Sequence, residues 1–233
     1  LIIRKNIDLK NLISFNNVSF SYDKKNFIFE NINFRIKKGS RIGIIGTTGE
    51  GKSTFLDLLM GLLKPKNGSI FIDDVELSQE TTGSWQSKIS HVPQKIFLSN
   101  TTFLENIAFG VDFDKIDKDR VELVSKKSQI HEFIIKLENG YLQGVGERGI
   151  RLSGGQIQRI GLARALYKNT EVIIFDEATN SLDNDTERLI MKELYSLDKD
   201  LTIIMVAHRL NTLKDCDVIF KIKDKKIQQI KIN

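Results

Sequence analysis

The chain has 233 residues, 40% hydrophobic and 28% charged, with a formal net charge of +5, a composition typical of a globular protein that buries its own core. The longest apolar run, Phe55–Leu63, is interrupted by Asp57 and Gly61, so it falls short of the roughly 18 consecutive apolar residues that a membrane helix needs. The single cysteine, Cys216, excludes an internal disulfide and a thiolate metal cluster, and the dispersed lysines indicate an anionic partner only weakly.

The first predicted elements are strands. Residues 12–20 and 28–36 show partial apolar/polar alternation with many β-formers, which predicts two antiparallel strands of one layer. Residues 40–46 form a short apolar run that ends at glycine. This pattern predicts a buried strand that runs directly into a loop.

A helix is predicted next, over residues 52–63, from its helical apolar periodicity. We expect Pro65 to stop it, because proline cannot continue a helix. A further strand is predicted over residues 68–74.

The middle of the chain, residues 95–168, is dominated by helical patterns, over 101–110, 118–137 and 154–168. Strand patterns return afterwards, over 171–178, 201–209, 217–223 and 226–232, with one helix over 183–197. Strands that alternate with helices predict a parallel, doubly wound core. We therefore expect an α/β fold whose core, about 12–94 and 169–233, carries an inserted α-helical subdomain over about 95–168.

The segment GTTGEGKS matches the phosphate-binding pattern G-x-x-x-x-G-K-[ST], with a strand before it and a helix after it. Its glycines let backbone N–H groups converge on the β-phosphate, Lys52 reaches the β- and γ-phosphates, and the Ser53 hydroxyl can ligate Mg²⁺. The chain is therefore expected to bind a nucleoside triphosphate. The predicted nucleotide-binding residues are Gly46, Thr47, Thr48, Gly49, Glu50, Gly51, Lys52, Ser53 and Thr54.

Two carboxylates end the apolar strand VIIFDE. Asp176 is expected beside the phosphate loop, where it holds Mg²⁺ through water. Glu177 is expected to polarise the water that attacks the γ-phosphate. Acidic pairs at strand ends also serve as helix caps or turn formers, but the phosphate loop favours the functional interpretation.

Three other side chains leave alternatives open. Gln94, in HVPQ, reaches Mg²⁺ or the attacking water, or is simply solvated, as most glutamines are. His208, at the end of an apolar run, is either a structural residue or an imidazole at the γ-phosphate. Tyr22 is either a surface aromatic or a plate on which a purine stacks.

A second anion cradle is predicted a hundred residues further on, in RLSGGQIQR. A serine and two glycines lead into a helix, so backbone N–H groups are open to an anion at its N-terminus. This cradle has no lysine. The residues predicted to bind nucleotide there are Ser153, Gly154, Gly155 and Gln156.

These motifs, in this order, resemble those of the ATP-binding cassette family over essentially the whole chain, and LSGGQ is that family's signature. The resemblance implies a P-loop NTPase core of the RecA-like type, with an N-terminal antiparallel β subdomain and an inserted α-helical subdomain. It assigns roles to five residues: adenine stacking to Tyr22, the glutamine loop to Gln94, the catalytic base to Glu177, the dimer-contact loop to Asp183 and the switch to His208. The family's usual serine–alanine is here Asn180–Ser181, which leaves the detailed geometry of the dimer loop open.

The resemblance also explains why there are two cradles. In this family two cassettes pack head to tail, so Ser153, Gly154 and Gly155 of one copy close over the γ-phosphate held by Lys52 of the other. The expected cofactors are ATP and Mg²⁺, and the expected partner is a second copy of the domain. Hydrolysis then removes the nucleotide that joins the two copies.

Two short motifs resemble those of exporters: GVGERG, just before the signature, and FLENIAFG, after the glutamine loop. The resemblance implies ATP hydrolysis that powers an exporter or flippase, with a transmembrane domain fused upstream. Residues 1–11 are then a linker, and a chain that starts at Leu1 without a methionine fits the C-terminal portion of such a protein. The expected location is the cytoplasmic face of the cell (inner) membrane, as part of an integral membrane transporter.

Two other classes of function each fit a part of the sequence. A cassette that acts on nucleic acid is compatible with the basic pI near 9.1, but the repair types carry long coiled coils between P-loop and signature, and no sustained heptads occur here. Nucleic acid is therefore not an expected partner. A catalytically silent module is opposed by Lys52, Asp176, Glu177 and His208, which are all present.

Overall fold

The computed structural model describes residues 6–23, 25–178, 182–195, 200–207 and 210–230. In chain order its strands are β1 (Leu12–Ser21), β2 (Phe27–Lys37), β3 (Arg41–Ile45), β4 (Asn67–Ile72), β5 (Val75–Glu76), β6 (Ile89–Val92), β7 (Val172–Asp176), β8 (Thr202–Val206), β9 (Val218–Lys223) and β10 (Lys226–Ile230). Its α-helices are α1 (Lys52–Leu59), α2 (Thr82–Ser87), α3 (Phe103–Ile107), α4 (Lys118–Lys127), α5 (His131–Ile134), α6 (Gly154–Tyr167) and α7 (Asn184–Tyr195). Short 3₁₀ turns lie at Phe113–Lys115, Gly140–Leu142, Glu147–Gly149 and Leu210–Leu213.

The strands form two sheets. The first has the order β2-β1-β4-β5 and every pair in it is antiparallel. The second has the order β10-β9-β3-β8-β7-β6. Strands β9, β3, β8 and β7 are parallel, and β10 is an antiparallel edge strand. The predicted α/β fold, with an antiparallel β subdomain and a parallel core, is confirmed.

The described residues divide into two compact units. The first comprises residues 6–23, 25–90, 170–176, 200–207 and 210–230, and the second comprises 91–169, 177–178 and 182–195. The sequence analysis placed 177–195 in the core, since these residues lie between two strands of the parallel sheet. In the structure they group with the helical unit, because α7 contacts α4. The domain boundaries themselves stay a prediction.

Each unit has its own apolar core. In the first unit, three aromatic rings join the antiparallel sheet to α1: the ring centroids of Phe15 and Phe34 lie 5.3 Å and 5.1 Å from that of Phe55. In the second unit, apolar residues of α3, α4 and α6 pack together, including the fully buried Ile107, Val121 and Ile160. Alternate apolar positions on strands and helical periodicity on helices produce these faces, as the sequence pattern predicts.

The segment at residues 6–11 packs against the first unit. Ile7 and Leu9 are each only 1% exposed and belong to its core. The Ser84 hydroxyl accepts a hydrogen bond from the N–H of Ile7 at 2.9 Å, and the Glu171 carboxylate accepts one from the N–H of Leu9 at 2.8 Å. This part of the predicted linker is therefore fixed to the domain by its backbone and its side chains.

Two predicted helices end earlier than their periodicity indicates. Helix α1 ends at Leu59, not at residue 63, because Gly61 adopts a φ of 70° and its N–H bonds back to the carbonyl of Leu58. Glycine adopts this left-handed conformation without strain, so it ends helices readily. The predicted helix over 118–137 is divided into α4 and α5 at Gln129, which has a φ of 60°.

No helix in the described ranges is both long enough and apolar enough to cross a bilayer.

Candidate functional site

The predicted phosphate loop joins β3 to α1 in the first unit. Strand β3 is buried between two parallel neighbours, β8 and β9, and ends directly before Gly46. The loop ends at Gly51, which precedes α1 with a φ of 101°. A Cβ atom there would lie 2.6 Å from Cγ2 of Ile28. Only glycine accepts both this backbone angle and this close approach.

The lysine of the loop folds back over the backbone. Lys52 is 7% exposed, and its Nζ donates hydrogen bonds to the carbonyl oxygens of Gly46 at 2.9 Å and Thr47 at 3.2 Å. The carboxylate of Glu50 accepts a hydrogen bond from the N–H of Thr47 at 2.8 Å. Four of the residues predicted to bind nucleotide are exposed, namely Thr47, Thr48, Gly49 and Ser53. Thr54, also predicted to bind nucleotide, is buried at 6% exposure. The loop thus presents its backbone to solvent with a positive charge close to it.

The predicted stacking residue is tied to this helix. Tyr22 follows β1, and its hydroxyl lies 3.1 Å from Oγ1 of Thr54, in the first turn of α1. Its ring packs edge-to-face on Phe20, with 5.1 Å between centroids, and the residue stays 64% exposed. The ring is therefore anchored beside the phosphate loop with apolar surface open to solvent.

Asp176 ends β7, in the same parallel sheet as the loop. The register pairs Asp176 with Val206 on β8, and Val206 pairs with Ile44 on β3, two residues before Gly46. The carboxyl ends of parallel strands share one edge of a sheet. Asp176 and the phosphate loop thus emerge from the same edge of the first unit.

Gln94 and Glu177 meet in the second unit. Gln94 follows β6, Glu177 follows β7, and Nε2 of Gln94 donates a hydrogen bond of 2.9 Å to Oε2 of Glu177. Glu177 has a φ of 53°, a left-handed conformation that is uncommon for a residue other than glycine. Two residues predicted separately for catalysis are thus in direct contact.

The second predicted cradle begins α6. Ser153 is the N-cap: its hydroxyl accepts a hydrogen bond from the N–H of Gln156 at 3.3 Å, and Oε1 of Gln156 accepts one from the N–H of Ser153 at 2.8 Å. This reciprocal pair is a capping box. The first N–H groups of a helix lack intrahelical acceptors, and Gly154 and Gly155 carry no side chain of their own that could cover them. The capping box therefore stabilises the start of α6, where Ser153 and Gly154 are exposed to solvent.

One network of the second unit is missed by the sequence analysis. Asn106 is fully buried, and its side chain bonds to Ser99 and Thr102. Arg164 on α6 donates from Nε to the carbonyl oxygen of Asn106 at 2.9 Å and from Nη1 to that of Phe97 at 3.0 Å. Burial lowers the pKa of Arg164. The network ties α6 to the chain after Gln94, and its only sequence signal is a polar residue inside an apolar pattern.

The dimer-loop and switch residues are only partly described. The carboxylate of Asp183 accepts a hydrogen bond from the N–H of Thr186 at 3.0 Å, and this bond lowers the pKa of Asp183. Asn180, Ser181 and His208 lie outside the described residues. Their predicted roles stay predictions.

The donor set of the first unit fits Mg²⁺. No group of three or more His, Cys, Asp or Glu residues that could hold a metal occurs in the part of the chain that the structure describes. Mg²⁺ does not need one, since it usually takes one or two protein oxygens and fills its shell with phosphate and water. The Ser53 hydroxyl and the Asp176 carboxylate are hard oxygen donors of that kind.

A glycine-rich loop between a buried parallel strand and a helix, with a carboxylate at the same sheet edge, defines a P-loop nucleotide-binding protein. The family can be named more closely. Residues 29–180 match the family model described as ABC transporter. The chain belongs to this family, as its ATP-binding domain.

Relatives and a solved structure agree with this assignment. The chain is 39% identical over 210 residues to an ATP-dependent lipid A-core flippase of Saccharophagus degradans, which covers 90% of this chain and 36% of the flippase. It is 40% identical over 207 residues to an ATM1-type heavy metal exporter of Novosphingobium aromaticivorans, which covers 89% of this chain and 34% of the exporter. The structure of a bacterial Atm1-family ABC exporter with ATP bound superposes with a TM-score of 0.90 at 36% identity, over 97% of this chain and 40% of that chain.

The chain spans only a part of these relatives, and only 17% of ABC transporter B family member 17 of Arabidopsis thaliana, to which it is 40% identical. The similarity therefore concerns the ATP-binding domain.

Proposed function

We propose that this chain hydrolyses ATP and powers an exporter or flippase, working as a head-to-tail dimer with a transmembrane domain fused upstream. The observation that carries the proposal is the phosphate loop with Lys52 folded over it, at the same sheet edge as Asp176. The similarity to a flippase and a heavy metal exporter supports transport over the nucleic-acid alternative. The proposed location is the cytoplasmic face of the membrane.

Each predicted residue has a task in this proposal. The loop N–H groups and Lys52 bind the β- and γ-phosphates, and the adenine stacks on the exposed ring of Tyr22. Ser53, Gln94 and Asp176 would hold Mg²⁺, which would neutralise part of the phosphate charge when bound. In the second copy, Ser153, Gly154, Gly155 and Gln156 close over the γ-phosphate.

Glu177 is the proposed general base. Its carboxylate accepts a proton from a water whose oxygen attacks the γ-phosphorus. The bond from that phosphorus to the β–γ bridging oxygen breaks as the new bond forms, so ADP and inorganic phosphate leave. His208 is proposed to contact the γ-phosphate during this step.

The test is the Mg²⁺-dependent ATPase rate of the wild type and of the Glu177→Gln variant. We expect the variant to bind ATP like the wild type but to turn over about 10²–10⁴-fold more slowly, the usual contribution of a general base. The change is isosteric and removes only the ability to take a proton. Glu132→Gln, at an exposed position of the same unit outside the predicted motifs, is the matched control and should keep the wild-type rate. Hydrolysis by Glu177→Gln at the wild-type rate would refute the assignment of the base.

A further inference from the structure

Arg159 is a half-buried arginine on α6, the helix whose start is the second predicted cradle. Side chains on a helix lean toward its N-terminus, so the guanidinium lies over the turn that precedes Arg159. There its Nε donates a hydrogen bond of 3.3 Å to the carbonyl oxygen of Gly155, in the first turn of α6. The charged group thus contacts the backbone of the cradle itself.

The other end of the guanidinium is bonded outside α6. Its Nη1 donates a hydrogen bond of 2.7 Å to the carbonyl oxygen of Gln129. Gln129 has a φ of 60°, and the N–H groups of Gln129 and Ile130 bond back to the carbonyls of Lys126 and Ser125, each at 3.0 Å. This pattern is the Schellman motif that ends a helix, here α4. Arg159 therefore joins the cradle to a turn whose backbone is fixed by two hydrogen bonds of its own.

The place of this positive charge suits an anionic ligand. The start of a helix carries the positive end of its macrodipole, so a cation there destabilises the helix and an anion stabilises it. The first turn of α6 contains no acidic residue. Burial lowers the pKa of the Arg159 guanidinium, while the negative charge of Asp183, in the same unit, acts to raise it. An anion at the start of α6 would relieve this unfavourable arrangement of charge.

We propose that Arg159 is a positioning residue for the second cradle. It holds the first turn of α6 against the turn at Gln129, so that the N–H groups of Gly154 and Gly155 face the γ-phosphate held by the other copy. Preorganised donors stabilise a transition state only when they are aimed at the developing charge. The inference rests on the proposed head-to-tail dimer. Within that dimer Arg159 acts through the backbone of its own helix on the nucleotide of the other copy.

The first test compares ATP binding with ATP hydrolysis in Arg159→Met and Arg159→Lys. We expect kcat to fall about ten- to a hundredfold, the cost of a small misplacement of groups near the reacting atoms. ATP binding by the phosphate loop, measured by titration with a fluorescent ATP analogue in dilute protein, should stay as in wild type. Lysine keeps the charge but offers a single nitrogen in place of Nε and Nη1, so it should not rescue kcat.

The matched control for this test is Arg188→Met, which removes an exposed arginine of the same unit and should keep the wild-type kcat. A wild-type kcat in Arg159→Met would overturn the role of Arg159. A wild-type kcat in Arg159→Lys would show that its charge and not its two hydrogen bonds matters, and would overturn the positioning role.

The second test shows in which copy Arg159 acts. In a mixture of Arg159→Met with Lys52→Ala, each heterodimer keeps one site in which an intact Lys52 meets a cradle with an intact Arg159. Random pairing of equal amounts makes about half of the dimers heterodimers, so about one quarter of the wild-type ATPase activity should return. A mixture of Arg159→Met with Ser153→Arg should show no recovery, because every cradle in it is defective.

This pair of mixtures separates positioning of the cradle from a general effect on folding. If Arg159→Met disturbed the whole second unit of its own copy, neither mixture would recover, and the proposed role would be overturned. The reference is a mixture of Lys52→Ala with Ser153→Arg, which depends on the dimer but not on Arg159. Recovery in the reference alone would refute the role of Arg159 and leave the dimer intact. Without recovery in the reference, the dimer fails and the role of Arg159 fails with it.

Discussion

Lys52 shows how a single charged residue is prepared for an anionic ligand. Its side chain is almost fully buried, yet its ammonium is held by two backbone carbonyls of the loop, those of Gly46 and Thr47. Burying a charge is unfavourable unless hydrogen bonds compensate it, and these two bonds contribute to that compensation. The ammonium is thereby held at the loop that the sequence predicts to bind phosphate.

We predict that Lys52→Ala weakens ATP binding about ten- to a hundredfold, because it removes charge-assisted hydrogen bonds of about 1.5–3 kcal/mol. The measurement is a titration with a fluorescent ATP analogue. Lys66→Ala removes an exposed lysine of the same unit and should bind like the wild type. Equal affinities for all three proteins would exclude a role of Lys52 in binding.

The backbone conformation of Glu177 is a second feature at the scale of single residues. A φ of 53° directly after a buried strand is unfavourable for glutamate, and such conformations persist only where the surrounding structure imposes them. Here the turn brings the carboxylate to Gln94. The left-handed turn at Glu177 and its hydrogen bond with Gln94 thus belong to one local arrangement.

At the scale of elements, the turn between β4 and β5 holds the segment that leads into β1. The carboxylate of Asp73 accepts hydrogen bonds from the backbone N–H groups of Lys10, Asn11 and Leu12, at 2.6, 2.8 and 2.8 Å. Burial acts to raise the pKa of Asp73, but these three bonds outweigh it and lower the pKa. The residues that precede β1 are therefore fastened to the first unit by an ionised side chain.

These hydrogen bonds to Asp73 predict that the free energy of unfolding depends on pH. Since the folded state lowers the pKa of Asp73, its contribution is present above the ordinary aspartate value of about 3.9 and is lost as the pH falls through the folded value. Asp73→Asn, which keeps the shape and tolerates the local φ of 51°, should lower the free energy of unfolding by about 1.5–3 kcal/mol at neutral pH.

The measurement is urea unfolding of wild type and Asp73→Asn at pH 7 and at pH values near 3. The difference between the two proteins should shrink toward acid. Asp74→Asn changes the neighbouring exposed carboxylate and should be nearly neutral at both pH values. A difference for Asp73→Asn that stays constant over this range would show that its charge does not hold the segment.

At the scale of the whole molecule, the two anion cradles lie in different units and differ in charge. The phosphate loop of the first unit carries Lys52, and the helix start of the second unit carries only backbone N–H groups and Ser153. In the proposed dimer, the phosphate loop of each copy is completed by the helix start at Ser153 of the other copy. Nucleotide is then part of the interface, and its hydrolysis favours separation of the copies.

The dimer proposal predicts the outcome of mixing two inactive variants. Ser153→Arg blocks closure and Lys52→Ala weakens phosphate binding, so at an ATP concentration that saturates only the wild type each variant alone should have little activity. A heterodimer of the two retains one intact site, because Lys52 of one copy meets Ser153 of the other. Random pairing of equal amounts makes about half of the dimers heterodimers, so about one quarter of the wild-type ATPase activity should return.

The same mixture separates the dimer from a monomeric mechanism. If each chain hydrolysed ATP alone, mixing would give no more than the mean activity of the two variants. Dilution is an independent check, since the specific activity of wild type should fall with protein concentration. A specific activity that is independent of concentration, with no recovery on mixing, would contradict the dimer.

The sequence by itself determined the elements that local patterns encode. A P-loop in a parallel sheet was predicted from three local features: the apolar run into Gly46, the glycines and lysine of GTTGEGKS, and the strand that ends at Asp176. The structure has these elements in that order. The helix start at Ser153 was also predicted. These features depend on residues a few positions apart, whose backbone preferences and hydrophobic spacing the sequence displays directly.

Tertiary structure alone decided the rest. Residues 177–178 and 182–195 group with the helical unit, residues 6–11 pack on the first unit, and Gln94 contacts Glu177 across 83 positions. The sequence also did not predict the two-residue strand β5 or the short elements α2 and β6, because they are too short to show a hydrophobic periodicity. Contacts between residues distant in sequence depend on how whole elements pack, and a residue pattern read along one chain does not contain that information.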